Sequence, residues 1–280
     1  MRAMLALHAI VLGVIQGLTE FLPISSSGHL ILAREALGWE LLADAGLNKT
    51  FDVALHAGTL ISLLGYFRQD VVRLVRAFGA SFAGGIGRDL DRRLAWLIAV
   101  GTVPAAIAGV VGEEFVEETL GSPLLVSALL IGVALLIWLA DWRGRKVRGL
   151  PELGWWDGIL MGVAQATALA PGVSRSGITI TTGLARGLRR EAAARFSFLL
   201  SIPIVAGASV YSLLGLVRDP GALPAGSVLA FVAGMAAAAA SGYLCIHYFL
   251  RYLQTRGLAP FVVYRVLVGA TLLWWFARGV

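Results

Sequence analysis

The chain has 280 residues, of which 58% are hydrophobic and 14% are charged, and its formal net charge is +6. A soluble domain is about half apolar and about a quarter charged. The composition of this chain therefore excludes a soluble domain and predicts an integral membrane protein. The long apolar runs lack period-2 alternation, which predicts an all-α fold. The positive charge does not indicate a nucleic-acid partner, because the Lys and Arg residues lie in short loops between apolar segments.

The first predicted element is a re-entrant helical hairpin. Residues 3–22 are apolar enough to enter a membrane, but Gln16 and Glu20 interrupt them. The apolar segment Leu30–Leu37 is far shorter than the roughly 20 residues that a spanning helix needs. We therefore expect the chain to enter the membrane, turn at Pro23–Ser27 and leave on the same side. Such a turn is tolerated only where it is buried in protein or lines a wet cavity.

The remaining chain is predicted to hold about six transmembrane helices and a second re-entrant hairpin at about 156–184. The predicted spans are 51–67, 94–112, 123–140, 196–216, 227–249 and 260–277. Sixteen of the 23 basic residues fall in four loops, at 68–93, 143–148, 186–195 and 251–256. Basic loops face the cytoplasm, so the first hairpin is expected to enter from outside and the second from the cytoplasm.

An internal repeat relates the two hairpins. At an offset of 149 residues, six of the sixteen positions from 13 to 28 are identical to positions 162 to 177. The matched pairs are Gly13 with Gly162, Val14 with Val163, Gln16 with Gln165, Ser25 with Ser174, Ser27 with Ser176 and Gly28 with Gly177. One hairpin and three spans in each half predict a single membrane domain with an inverted-topology repeat, at about 1–148 and 149–280. The sites of such folds lie where broken helices meet.

The second turn has the composition of an anion site. Gly172 and Gly177 allow close approach of the backbone to a ligand, and Ser174 and Ser176 are suited to cap the next helix. A helix N-terminus binds phosphate readily. Arg175 adds a planar guanidinium that fits phosphate oxygens, and an arginine at membrane depth indicates function by default. The alternative is a serine-capped kink whose arginine pairs with a structural carboxylate.

The first turn has the composition of a catalytic site. Glu20, the serines at 25–27 and His29 offer a carboxylate, hydroxyls and an imidazole within a short stretch, which suits acid–base and nucleophilic chemistry. In the repeat, Ser26 stands opposite Arg175. Glu20 could instead be only a partner for Arg175, and His29 only a capping or interface residue.

Three other polar residues in the spans are interpreted structurally. Asp52 and His56 share one helix face and are expected to form a satisfied pair or to line a cavity, with a direct ligand role as the alternative. Arg265 is expected to snorkel or to pair.

The stretch from Gln16 to His29, together with Pro171–Thr179, resembles the bacterial undecaprenyl-diphosphate phosphatases, also called bacitracin-resistance proteins. The resemblance covers the whole chain and includes Phe51–Val53 and Gly101–Pro104. It implies hydrolysis of undecaprenyl diphosphate to the monophosphate and phosphate, which recycles the lipid carrier for peptidoglycan synthesis and confers bacitracin resistance. It also implies a multi-pass protein of the bacterial inner membrane, with an active site that faces the periplasm.

The resemblance also implies the roles of individual residues. The catalytic residues would be Glu20, Ser26, His29 and Arg175. The phosphate-binding residues would be Ser25, Ser27, Gly172, Ser174, Arg175, Ser176 and Thr179, with Gln16 in support. A divalent cation, Mg²⁺ or Ca²⁺, is implied without a location. Because Gln16 is neutral where many family members have glutamate, Glu20 is the only carboxylate of the first motif that could hold it.

The expected partners are a polyprenyl diphosphate lipid and the membrane, and a homodimer is left open. The main alternative function is a transporter or flippase of a polyprenyl phosphate, because inverted repeats with broken helices are also transporter architecture. A carrier needs binding groups but no nucleophile, so the Glu20, Ser26 and His29 cluster favours the phosphatase. A non-catalytic scaffold is disfavoured by two costly polar turns inside the membrane.

Overall fold

A computed structural model describes residues 2–37, 45–120, 122–218 and 227–278 of the chain. The described residues form eleven α-helices and one short 3₁₀ turn, as the all-α prediction requires. The helices are α1 (Arg2–Phe21), α2 (Ser26–Leu37), α3 (Ala45–Tyr66), α4 (Arg68–Gly84), α5 (Leu90–Thr119), α6 (Pro123–Arg143), α7 (Trp155–Thr167), α8 (Arg175–Ala185), α9 (Arg190–Arg218), α10 (Val228–Thr255) and α11 (Ala259–Ala277).

Six of these helices are long and apolar enough to cross a membrane, so the chain is a multi-pass membrane protein. They are α1, α5, α6, α9, α10 and α11. The number agrees with the prediction, but two assignments differ. Helix α1 runs unbroken to Phe21 and has the length of a span, whereas we expected residues 3–22 to be one arm of a re-entrant hairpin. The predicted span 51–67 corresponds to α3, which qualifies only together with α4 because Lys49, Asp52 and His56 lower its hydropathy.

The second hairpin has the predicted dimensions. Helices α7 and α8 contain 13 and 11 residues, which is too short for either to cross a membrane alone. They pack on each other, as α1 and α2 also do. Residues 168–174 connect α7 to α8, and residues 22–25 connect α1 to α2. Both turns therefore interrupt apolar helices at the two repeated serine-glycine motifs.

The predicted basic loop 68–93 is mostly a helix. Helix α4 bends away from α3 by 84°, and its inner face includes the buried residues Leu74 and Ser81. Ser81 accepts a hydrogen bond of 2.9 Å from the indole N–H of Trp96 on α5. The prediction was wrong because six arginines obscured an amphipathic helix whose apolar face packs on α5.

The two halves pack on each other reciprocally. Helix α1 packs against α10, and its repeat counterpart α7 packs against α5. Both interfaces place a repeated glycine against a glycine of the other half: Gly13 against Gly234, and Gly162 against Gly101. A Cβ atom at Gly13 or Gly162 would overlap the facing backbone. The first arm of each hairpin is thus buried in the opposite half, which brings the two turns together.

Candidate active site between the two turns

Each turn contains a serine with a left-handed backbone at the same position of the repeat. Ser25 has φ 73° and Ser174 has φ 72°, and a positive φ is uncommon for a residue other than glycine. Their side chains also repeat a pairing, since the Oγ atoms of Ser25 and Ser27 lie 3.4 Å apart and those of Ser174 and Ser176 lie 3.2 Å apart. In both turns the next residue begins a helix, so Ser26 and Arg175 occupy equivalent helix N-termini.

Arg265 of α11 joins the two turns. It is fully buried and donates hydrogen bonds to the carbonyl oxygens of Pro23 at 3.2 Å and Gly172 at 2.8 Å. Pro23 and Gly172 are equivalent positions of the repeat. Of the two expectations for Arg265, snorkelling was wrong, because the side chain is fully buried. It pairs with backbone carbonyl oxygens, of which those of Pro23 and Gly172 belong to the turns and that of Leu130 belongs to α6. The only signal in the sequence was an arginine within an apolar span.

Glu20 contacts side chains from both halves of the repeat. Its Oε1 accepts a hydrogen bond of 2.6 Å from Arg175, and its Oε2 accepts one of 2.6 Å from Ser26 and one of 3.0 Å from Gln16. The Glu20 side chain is only 6% exposed, and that of Arg175 is 12% exposed. A buried carboxylate requires such partners, because desolvation of an unpaired charge is costly.

His56 belongs to this site, although from the sequence we expected a structural role for it. Its Nε2 lies 3.6 Å from Oε2 of Glu20, and its Nδ1 lies 2.8 Å from the backbone oxygen of Asp52. The Asp52 carboxylate instead forms a bidentate ion pair with Arg34. The cavity-lining interpretation of His56 is therefore confirmed, whereas its side chain does not pair with that of Asp52.

A cavity of about 410 Å³ opens between the two turns. Six of the predicted site residues line it: Glu20, Ser25, Ser26, Ser27, Ser174 and Arg175. His56 and Gln165 complete its polar part. Most of the remaining lining consists of small and apolar residues of α3, α5 and α9, including Val53, Ala105, Gly109, Val205 and Ala208. The cavity thus combines a charged end with a wall suited to hydrocarbon.

Five predicted site residues lie outside the cavity lining. Gln16 is buried behind Glu20, and Gly172 packs against α6, where a Cβ would lie 2.6 Å from the Val126 oxygen. The hydroxyl of Ser176 donates to the Leu22 oxygen at 2.9 Å and thereby connects the two turns.

Thr179 and His29 are the other two predicted site residues outside the cavity lining. The hydroxyl of Thr179 lies 2.6 Å from that of Ser197 on α9. The ring of His29 stacks on that of Tyr264, and its Nε2 lies 2.6 Å from the Tyr264 hydroxyl. Its Nδ1 lies 2.7 Å from the backbone oxygen of Ser25. Sequence spacing placed His29 beside the serines, but the helical rotation of α2 turns it away from Glu20.

Several buried polar atoms in or next to the cavity lining lack a hydrogen-bond partner among the described residues. They are Nη1 of Arg175, Oε1 of Gln16 and both amide atoms of Gln165. Such groups are rare in folded proteins and require an explanation. The guanidinium of Arg175 donates from Nη2 to Glu20 and leaves its buried Nη1 without a partner, and a guanidinium nitrogen is suited to a phosphate oxygen.

The described residues do not gather three or more His, Cys, Asp or Glu side chains in a metal-binding group. Glu20 is the one carboxylate among the described cavity residues. This composition does not suit an all-protein metal cage. It does suit Mg²⁺, which is usually held by one or two carboxylates together with the phosphates of a substrate.

The family model described as Bacitracin resistance protein BacA matches residues 9–271. The chain belongs to this family. Three relatives match almost end to end. An undecaprenyl-diphosphatase of Geobacter sulfurreducens is 50% identical over 97% of this chain and 99% of its own length. Undecaprenyl-diphosphatase 2 of Stutzerimonas stutzeri is 48% identical over 95% and 97%, and an undecaprenyl-diphosphatase of Hahella chejuensis is 46% identical over 96% and 97%.

Proposed function

We propose that this chain hydrolyses undecaprenyl diphosphate to undecaprenyl phosphate and phosphate, with the cavity between the two turns as its active site. The observation on which this rests is that one buried carboxylate, Glu20, contacts both a hydroxyl and a guanidinium. A nucleophile within hydrogen-bond reach of a base, beside a cation for the phosphate, is the arrangement that phosphoryl transfer requires. Its biological role is the recycling of the lipid carrier for peptidoglycan, which gives bacitracin resistance.

The substrate lies with its diphosphate at the polar end of the cavity. Nη1 of Arg175 and the N-terminal turn of α8 bind the terminal phosphate, since both offer positive charge and N–H donors. The prenyl chain follows the apolar wall made by α3, α5 and α9 toward the lipid. This orientation places the terminal phosphorus near Ser26.

The chemistry begins with Ser26 or with a water molecule in its place. In the serine version, Glu20 takes the hydroxyl proton, the Ser26 Oγ–P bond forms, and the bridging P–O bond breaks to release undecaprenyl phosphate. A water then hydrolyses the phosphoserine and releases phosphate. In the water version, the same carboxylate deprotonates water and no covalent intermediate forms. His56, 3.6 Å from Glu20, is the nearest imidazole to this proton.

A divalent cation is part of the proposal. Glu20 would hold it together with the diphosphate oxygens, and the cation would neutralise part of the diphosphate charge. The membrane of the proposal is the bacterial inner membrane, and the site is expected to open to the periplasm, because the predicted basic loops mark the cytoplasmic ends of the spans. A homodimer stays a prediction.

The alternative function is translocation of a polyprenyl phosphate without cleavage. The contact between Ser26 and Glu20 favours the phosphatase, because a carrier has no need of a hydroxyl placed 2.6 Å from a carboxylate.

The deciding experiment measures phosphate release from undecaprenyl diphosphate by the purified protein in detergent. Wild type is compared with Glu20→Ala and Arg175→Ala, with and without EDTA. Release by wild type that both variants lose supports the phosphatase and this site, and loss with EDTA supports the cation. A folded wild type that releases no phosphate overturns the proposal and directs the next assay to lipid translocation in vesicles.

A further inference from the structure

Gln165 on α7 is a buried polar side chain for which the described part of the chain offers no partner. It is 4% exposed, and neither its Oε1 nor its Nε2 forms a hydrogen bond. It lines the same cavity as Glu20 and Arg175. A buried amide without partners costs free energy, so this position requires an explanation other than packing.

Comparison with the equivalent residue of the first half shows why this amide has no partner. Gln16, the equivalent residue of the first half, donates from Nε2 to Glu20 four residues later, at 3.0 Å. Four residues after Gln165 stands Leu169, which also lines the cavity but cannot accept a hydrogen bond. The same helix geometry therefore orients one glutamine toward a carboxylate and leaves the other available.

We propose that Gln165 binds the diphosphate of the substrate through its side-chain amide. The inference rests on the proposed function. The amide has two N–H donors and no charge, and Arg175, whose Nη1 also lacks a partner, lines the same cavity. Donors from α7 and α8 would thus contact one anion, with Arg175 supplying the charge and Gln165 fixing the orientation.

Two substitutions separate this role from packing. Gln165→Leu keeps the approximate volume and removes both polar atoms, whereas Gln165→Glu keeps the shape and adds a negative charge. We expect Gln165→Leu to lower kcat/KM for undecaprenyl diphosphate by about 10- to 100-fold, mainly through KM, as for a lost hydrogen bond to a charged group. Gln165→Glu lowers it further, because its carboxylate repels the diphosphate.

Stability provides the second readout. Gln165→Leu is expected to have a Tm in detergent equal to or above that of wild type, because it no longer buries an unpartnered amide. Gln254→Leu is the matched control, since Gln254 is exposed at the end of α10 and outside the cavity lining. The control should keep wild-type kcat/KM. A Tm of Gln165→Leu below wild type would reveal a structural partner for the amide and overturn the inference.

The experiment also distinguishes this inference from the proposed function. If wild type releases phosphate and Gln165→Leu does so with unchanged kcat/KM, the inference is overturned while the phosphatase stands. If wild type releases no phosphate, the proposed phosphatase function is overturned. The Tm of wild type and of Gln165→Leu, each with and without inorganic pyrophosphate, then tests whether Gln165 contacts an anion. A rise in wild type that Gln165→Leu loses supports an anion contact, and any other pattern overturns it.

Discussion

Arg175 donates to Glu20 across 155 residues of sequence, with an N–O distance of 2.6 Å. The ion pair joins the first turn of α8 to the end of α1, so neither half of the repeat forms this site alone. Since each partner neutralises the other in a largely buried position, either group left alone would be a costly unpaired charge. A phosphate on Nη1 can bind without breaking this pair, because the pair uses Nη2.

Arg175→Ala is expected to reduce phosphate release by about 100- to 1,000-fold, because a transition-state charge loses its donor in a water-poor site. Arg175→Lys should also lose most of the activity, since a lysine cannot contact Glu20 and a phosphate with two ends of one planar group. Arg76→Ala, at an exposed position of α4, is the control. Near-normal turnover of Arg175→Ala would contradict the site.

Ser26→Ala is expected to reduce activity by more than about 100-fold, and Ser27→Ala by much less. Ser26 is the serine that contacts Glu20, whereas Ser27 is exposed at the cavity and forms, within the described ranges, a side-chain contact with Ser25 alone. Phosphate release measures both variants, and mass spectrometry after acid quenching detects phosphoserine at position 26. Full activity of Ser26→Ala would assign the attack to water.

The two histidines are expected to affect catalysis differently. His29→Ala should lower kcat without changing the shape of the pH profile, because its ring supports the left-handed turn through the Ser25 oxygen. His56→Ala should change the pH profile, because its imidazole lies beside the carboxylate that moves the proton. Measurement of kcat/KM as a function of pH for both variants tests this difference. A changed profile in His29→Ala alone would restore the acid–base role that the sequence assigned to His29.

Gly162→Ala is expected to destabilise the protein by about 1–3 kcal/mol, the usual cost of overpacking. Its Cβ would overlap the Gly101 backbone at the contact between α7 and α5. Gly132→Ala is the control, because Gly132 lies in α6 with open space around its Cβ position, and alanine favours a helix. Thermal unfolding in detergent compares the two. A Gly162→Ala variant as stable as Gly132→Ala would contradict the reciprocal packing.

The sequence determined the class of the fold and the composition of the site. Apolar runs of the length of a span, broken by two polar motifs, predict membrane helices and turns because a lipid environment leaves the backbone few choices. The repeat of Ser25 at Ser174 predicted two turns of one kind, and both have the same left-handed serine. Glu20, Ser26 and Arg175 could be selected by their chemistry alone.

Only the tertiary structure decided which side chains meet. His29 is closer to Ser26 in sequence than His56 is, but helix rotation directs it to Tyr264, and the packing of α3 brings His56 to Glu20. The connection of both turns by Arg265 depends on α11, which places Arg265 against Gly172 although 93 residues separate them in sequence. Gln16 and Gln165 are identical in type, and their difference appears only when the partners within reach of each amide are known. Local sequence specifies which groups are present, whereas contacts between distant helices decide their distances.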